Sequence, residues 1–386
     1  MTELYPWQQQ ALQEYKQNDS LIVQACTGSG KTILALEIIK DIIKTDPNAR
    51  ILIIVPKIVI LEQVWLKELY NHGYGPHQIG IYYNKAKEYS KIVLTTTVSC
   101  SRLNLQVFTH LIVDELHNMM TDRLLQILKQ PWKKKVGLSA TIYRADLKHN
   151  KIIKLFNASI INYDIKQATK DDIISKLEYH DIPVPFDDVA LHAKYVEVDN
   201  ELKRANAQLM QQRYSGSVSP GLKARCYQLL NERNDIIYNY PAKLEQVKKI
   251  VQQNQNKKIL IFNQRNDVSQ KLYWMLLDVC KRPVIINSSI PQNKQRKNMI
   301  AFKEGHANVL LASMSLDEGM NVPTIDIGII LSGNATPRQL VQRAGRVLRK
   351  AQGKEAAHIY QVYLKDSAEE KQARLKADTF RGIIQS

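Results

Sequence analysis

Short runs of apolar residues recur along the chain, and many are followed by a stretch where apolar positions return every three or four residues. Leu21-Ile22-Val23-Gln24-Ala25 reads as a buried strand, followed by a glycine-containing turn and a predicted helix over 31–44. Ile51-Leu52-Ile53-Ile54-Val55 is a second strand, with a helical pattern running on to Leu69. Ile92-Val93-Leu94, Leu111-Ile112-Val113 and Val136-Gly137-Leu138 are further strand candidates. The alternation restarts with 258–262, then 284–286, 309–312 and 327–330. Strands separated by helices call for right-handed crossovers, so each half is expected to be an α/β unit with a parallel sheet covered on both faces. Between the halves lies a polar, charge-rich region, from about Tyr195 to Asn239, whose pieces look helical.

Composition adds a partner class. The 386 residues hold 54 Lys plus Arg against 37 Asp plus Glu, a formal charge of +17. Such a surplus suits polyanions such as nucleic acid, and a generally basic, solvated surface accounts for it equally well. Cys26, Cys100, Cys226 and Cys280 are too far apart for a zinc or disulfide pattern, which fits a reduced, cytoplasmic compartment. The polar amino terminus does not read as a signal peptide, and the most apolar stretch, 51–61, is interrupted by Pro56 and Lys57 and is too short for a membrane span. No membrane partner is expected.

The sharpest chemical signal is Ala25-Cys26-Thr27-Gly28-Ser29-Gly30-Lys31-Thr32, set between a strand and an amphipathic helix. This is the context of a phosphate-binding loop. Gly28 and Gly30 let backbone amides turn inward, and the helix start adds positive dipole. Lys31 can reach the β- and γ-phosphates of ATP, and the Thr32 hydroxyl can ligate Mg²⁺. A second strand ends in Asp114-Glu115-Leu116-His117. Asp114 is placed to hold the Mg²⁺, and Glu115 to polarise the water that attacks the γ-phosphate.

These residues carry a family resemblance. Asp114 to His117 resembles the Asp-Glu-x-His box of the superfamily 2 helicases, and Ser139-Ala140-Thr141 resembles their third motif. The stretch 313–323 resembles the fifth motif and 342–349 the sixth, while Tyr5-Pro6-Trp7-Gln8 looks like the glutamine-containing segment ahead of the phosphate loop. The elements stand in the family's order from residue 5 to residue 349. The resemblance implies two tandem RecA-like domains, 1–165 and 166–386, with an ATP cleft between them.

By the same resemblance, Arg346 and Arg349 would be arginine fingers on the transferred phosphoryl group, although such a cluster also suits a solvated or nucleic-acid-binding helix face. Gln342 and Arg343 would link that helix to the nucleotide and to the Asp114–His117 strand end. Gln8 would read the adenine edge, Gly319 would let backbone approach the nucleotide, and Asn321 would lie near the ribose; many relatives carry an aspartate there. Ser139 and Thr141 would couple hydrolysis to domain movement. The neighbouring Trp7 reads as a core aromatic. A nucleic-acid track is implied across the face opposite the ATP, touched by Pro56, Lys57, Thr95, Thr96 and Arg102 in the first domain. In the second, Gln264, Arg265, Ser288, Ser289 and Arg296 would touch it. Hydroxyls and single cations at strand ends suit phosphate contact without base readout.

The ending Arg346-Val347-Leu348-Arg349 is closer to DNA repair, recombination and restriction helicases than to RNA helicases. The resemblance is greatest to nucleotide-excision-repair helicases and compact phage recombination or replication helicases. It implies an ATP-dependent motor on single-stranded or branched DNA, without sequence preference, working with replication or recombination proteins. An RNA helicase and a double-strand translocase that does not unwind stay open as alternatives. The Ile, Lys and Asn bias points to a bacterial or phage source, hence a bacterial cell or phage-infected host. The charged region 195–239 is expected either to grip duplex phosphates with Lys203, Arg204, Arg213, Lys223, Arg225 and Arg233, or to be a solvated linker.

Overall fold

The structure, a computed structural model, describes residues 3–84, 86–142, 147, 149–214, 216–312, 324–331, 347, 350 and 354–385. They form two α/β units, each built on its own sheet. The first sheet has eight strands: β1 (Ser20–Ala25), β2 (Ile51–Val55), β3 (Ile79–Tyr83), β4 (Ala86–Lys87), β5 (Ile92–Thr96), β6 (His110–Asp114), β7 (Lys134–Ser139) and β8 (Ser159–Tyr163). Their order is β4-β3-β5-β2-β6-β7-β1-β8, and every pair is parallel except β3 with β4. All five residues of β2, Ile-Leu-Ile-Ile-Val, are buried. A strand covered on both faces needs such a continuous apolar run.

The second sheet has six strands: β9 (Lys176–Val184), β10 (Ile259–Phe262), β11 (Pro283–Ile286), β12 (Val309–Ala312), β13 (Ile327–Ile330) and β14 (Ala356–Leu364). They run parallel in the order β11-β12-β10-β13-β14-β9. Strand β8 closes the first sheet and β9 opens the second, with the short helix Ile165–Lys170 between them.

The sequence pattern did not announce β3, β4, β8, β9 or β14. Strands β8 and β9 are sheet edges with one side in water, so polar residues such as Asn162, Glu178, His180 and Asp181 interrupt the apolar run. In β14, His358, Tyr360 and Gln361 break it in the same way.

The charge-rich region folds as two long helices, Val189–Tyr214 and Pro220–Tyr238. They run antiparallel: Lys194 pairs with Glu232 and Arg225 with Glu201, and the Gln212 side chain accepts from the Ser219 amide. Val198, Leu202, Ala205, Cys226 and Leu229 form a small core of their own between the helices. At the root, the Ala368 amide donates to the Tyr195 hydroxyl at 2.7 Å. Beside it Lys243 and Glu369 form a fully buried ion pair at 2.6 Å, and the Glu369 carboxylate also accepts from the Leu364 amide. Three of the hairpin cations expected to grip DNA are instead paired within the hairpin: Lys203 and Arg233 with Asp199, and Arg225 with Glu201. Arg204, Arg213 and Lys223 are exposed.

Candidate active site

Because the strands of the first sheet are parallel, the ends of β1, β6 and β7 come out on one edge. The phosphate-loop sequence follows β1, Asp114 and Glu115 close β6, and Ser139 closes β7. The chemistry assembles from these three ends.

Gly28 and Gly30 both adopt left-handed backbone, with φ of 91° and 95°. At Gly30 a side chain is excluded twice over, since a Cβ would also stand 2.7 Å from Gln8 Nε2. The helix Lys31–Thr45 starts directly after it, so the first-turn amides have no carbonyl of that helix to bond. Ser29 is buried, and its hydroxyl donates to the Cys26 carbonyl at 2.8 Å. The Lys31 ammonium donates to the carbonyls of Ala25 at 2.7 Å and Cys26 at 3.0 Å, which holds the loop in a closed curve. Thr27 and Thr32 flank this curve and are half-buried. A loop with two left-handed glycines, a lysine at its centre and free helix-start amides fits the phosphates of a nucleotide.

Gln8 is buried, at 1% exposure. Its Oε1 accepts from the Tyr5 amide at 2.8 Å and its Nε2 donates to the Gly30 carbonyl at 2.9 Å. In this structure it therefore ties the amino-terminal segment to the phosphate loop, with one donor and one acceptor valence left over. Trp7 is a core residue, stacked on Tyr163 with ring centroids 4.8 Å apart.

Asp114 is held by a residue that the sequence reading missed. The indole N–H of Trp65 donates to Asp114 Oδ2 at 2.8 Å, and the Glu115 amide donates to Oδ1 at 2.9 Å. Burial pushes the Asp114 carboxyl above its ordinary value, while the Trp65 N–H, the charge of Lys31 and the Glu115 amide pull it back down. Trp65 closes a π-helical turn, Leu61–Trp65, inside the helical stretch after β2. One wide turn of this kind rotates the side chains beyond it and often marks a functional site. The apolar periodicity of the segment gives no hint of it.

Glu115 is a non-glycine residue in left-handed backbone, φ 51° and ψ 57°. That conformation costs about 1–2 kcal/mol. The buried His117 ring connects it to β7: Nδ1 lies 3.0 Å from Ser139 Oγ and 3.3 Å from Glu115 Oε2. The Ser139 hydroxyl gives its own proton to the Thr141 carbonyl at 2.7 Å. Ser139 Oγ is then the acceptor toward His117, which assigns the imidazole proton to Nδ1. Glu115 Oε2 thus stands within ion-pair distance of a ring that is hydrogen-bonded, through Ser139, to the loop after β7.

The nucleic-acid candidates divide. Pro56 is half-buried and Lys57 is exposed after β2, and Arg102 is exposed beyond β5. They leave the same carboxyl edge as the phosphate loop, on its β2–β5 flank, so the two tracks differ by flank rather than by edge. Thr95 and Thr96 require correction. Both are buried, and the Thr95 hydroxyl donates to the Tyr82 carbonyl at 2.7 Å within the sheet. Period-two alternation and the extra strand β3 beside β5 put them inside; the half-exposed hydroxyl is Thr97, one residue further on. In the second unit, Ser288, Ser289 and Arg296 are exposed. Arg265 is committed to Asp235 at 3.0 Å and Asp267 at 2.9 Å, and Gln264 accepts from the Tyr238 hydroxyl at 3.3 Å. These two therefore brace the root of the hairpin. Gly319, Asn321, Gln342, Arg343, Arg346 and Arg349 lie outside the described residues.

A strand-borne phosphate loop beside a strand-end Asp-Glu pair has the geometry of a nucleotide-hydrolysing site. Residues 1–144 match the family described as type III restriction enzyme, res subunit, and residues 242–351 match the helicase conserved C-terminal domain. The chain is 25% identical to the DNA 3'-5' translocase XPB2 of Sulfurisphaera tokodaii, over 97% of this chain and 85% of that protein. It is 24% identical to "Putative helicase 22" of Sulfolobus islandicus filamentous virus, over 94% of this chain and 64% of that protein, so it spans under two thirds of that relative. The fold is similar to that of the Pyrococcus furiosus Hef helicase domain, with a TM-score of 0.67 at 16% identity, covering 96% of this chain and 97% of that one. The res-subunit and helicase C-terminal domains together in one chain are consistent with a superfamily 2 helicase, and the chain is an ATP-hydrolysing helicase.

Proposed function

We propose that this ATPase is a motor on DNA, coupling hydrolysis to movement along the strand and to unwinding or remodelling of branched substrates. The observation that carries the reading is that Glu115 stands at ion-pair distance from His117, whose ring is hydrogen-bonded through Ser139 to the loop after β7. It gives the hydrolytic carboxylate a mechanical outlet. The choice of DNA is supported by the similarity to the DNA translocase XPB2, by the ending of the sixth motif and by the net charge of +17.

In this reading residues 1–165 and 166–386 are the two motor domains. Lys31, the loop amides and Thr27 to Thr32 bind the triphosphate, and Gln8 braces that loop and offers its remaining donor and acceptor to the base. Thr32 and Asp114 would hold Mg²⁺, which would supply charge neutralisation on the triphosphate. Glu115 takes the proton of the attacking water. Arg346 and Arg349 serve as fingers from the second domain, with Gln342, Arg343, Gly319 and Asn321 around the nucleotide. Lys57, Thr97, Arg102, Ser288 and Arg296 contact phosphates. The hairpin 189–238 leans on duplex through the exposed Arg204, Arg213 and Lys223. Replication or recombination proteins in a bacterial or phage-infected cytoplasm are the proposed setting; no helix among the described residues is long and apolar enough to cross a membrane.

Two substrates separate unwinding from duplex translocation. A forked duplex reports strand separation, and a triplex-forming strand on intact duplex reports movement without it. The proposal expects ATP-dependent release of at least one of these strands, and loss of fork unwinding when the hairpin is shortened while ATPase on single strands persists. A hairpin that is only a linker leaves both assays unchanged.

A further inference from the structure

Outside the motor site, one group of side chains among the described residues has the composition and spacing of a metal centre. Strands β9 and β14 pair in parallel, with Glu178 opposite His358 and His180 opposite Tyr360. Period-two alternation therefore sets Glu178, His180 and His358 on one face of the sheet, at its edge. His180 Nε2 lies 3.2 Å from His358 Nδ1, and Glu178 Oε2 lies 3.3 Å from the same nitrogen. The three donor atoms all fall within 4.8 Å of one another.

These spacings can be compared with coordination geometry. Zinc bonds imidazole nitrogen and carboxylate oxygen at about 2.0–2.2 Å. In a tetrahedron the donor-to-donor edge is about 1.6 times the bond, or roughly 3.3–3.5 Å. Two of the three edges already stand near that length, and a rotation of the half-exposed Glu178 side chain closes the third. The imidazoles are pre-set by packing. His180 is stacked against the Tyr360 ring at 4.4 Å between centroids and 16° between planes, and His358 stacks on His180 at 5.4 Å. Glu178 and His358 line a pocket of 460 Å³ whose other charged walls are Asp326, Glu355, Lys176, Lys257 and Lys354, leaving a solvent side for a fourth ligand.

We infer that Glu178, His180 and His358 form a binding site for a zinc-class divalent transition ion, with water in the fourth position. Two imidazoles and one carboxylate favour such an ion over Mg²⁺, which prefers oxygen donors and octahedral geometry. The motor's own Mg²⁺ therefore does not compete for it. A bound ion links the edge strand β9, by which the chain enters the second sheet, to β14, its neighbour in that sheet among the described residues. It would brace the start of the second unit against fraying.

The test uses the full chain, stripped with chelator and kept in Mg²⁺ without nucleotide. Zn²⁺ retention is measured by equilibrium dialysis with elemental analysis, and Co²⁺ is added as a spectroscopic probe. The inference expects one tightly held Zn²⁺ per chain, a visible Co²⁺ band of four-coordinate type that Zn²⁺ bleaches, and a rise in Tm with Zn²⁺. His180→Gln and His358→Ala abolish the band and the Tm rise, and Glu178→Gln, which keeps the shape, weakens Zn²⁺ by more than ~tenfold. Circular dichroism certifies that the variants are folded, and Glu178→Gln with His180→Gln suffices if His358→Ala is not. Wild-type protein that retains no Zn²⁺, or variants that bind it as wild type does, would overturn the site.

Discussion

Replacing Trp65 with Phe tests the candidate active site at the residue that geometry alone revealed. The indole N–H donates to Asp114 Oδ2 at 2.8 Å, and the ring is fully buried. Trp65→Phe keeps an aromatic ring in place and deletes the donor. A hydrogen bond to a charged group contributes about 1.5–3 kcal/mol net. At about 1.4 kcal/mol per decade of rate, the loss lowers turnover at neutral pH by roughly ten- to a hundredfold, because metal binding needs the ionised carboxylate. The sign with pH follows from the causes already acting on Asp114. Burial raises it and the indole lowers it, so removing the indole raises it further and moves the acid limb of the rate profile to higher pH. ATPase is measured across pH at several Mg²⁺ concentrations, and the variant should need more Mg²⁺. The smaller ring also leaves a cavity, costing about 1–3 kcal/mol of stability; a melting curve reads that cost separately. A folded variant whose acid limb and Mg²⁺ dependence superimpose on wild type would refute the role given to Trp65.

Other sites give independent outcomes. Lys243→Met leaves the Glu369 carboxylate buried without its cation and should destabilise the second unit by about 3–5 kcal/mol in urea unfolding, with Glu369→Leu added in the same chain restoring part of it. Arg346→Ala should cut turnover by about a thousandfold or more with ATP affinity largely kept; a variant that loses only DNA stimulation would instead put Arg346 on the nucleic acid. Thr97→Ala should weaken DNA binding, whereas Thr95→Val should cost about 1 kcal/mol of stability and leave binding unchanged, as filter binding and thermal melts can show.

The central strands and the phosphate loop were legible in the sequence for a physical reason. A strand covered on both faces has to be apolar throughout, as β2 is, and a loop that turns backbone amides inward needs glycine where φ is positive, as at Gly28 and Gly30. Edge strands obey no such demand, so β8 and β9 passed unnoticed. A strand-end hydroxyl reads the same whether it faces water or sheet. Thr95 and Thr96 went inside because β3, itself unforeseen, pairs alongside β5. Charge is similarly ambiguous: the hairpin's cations are visible in sequence, but their pairing with Asp199 and Glu201 depends on how two helices align. Trp65 was the least legible, since its contact with Asp114 depends on one π-helical turn that apolar spacing does not encode.

The central claim is that Glu115 drives hydrolysis in a motor that DNA activates. The most direct measurement is steady-state ATPase of wild type and Glu115→Gln, each with single-stranded DNA, duplex, forked DNA and RNA, alongside nucleotide binding. The account predicts that DNA stimulates wild type more than RNA does, and that Glu115→Gln binds ATP but no longer turns it over. Stimulation by RNA above every DNA, or near-normal turnover in Glu115→Gln, would contradict it.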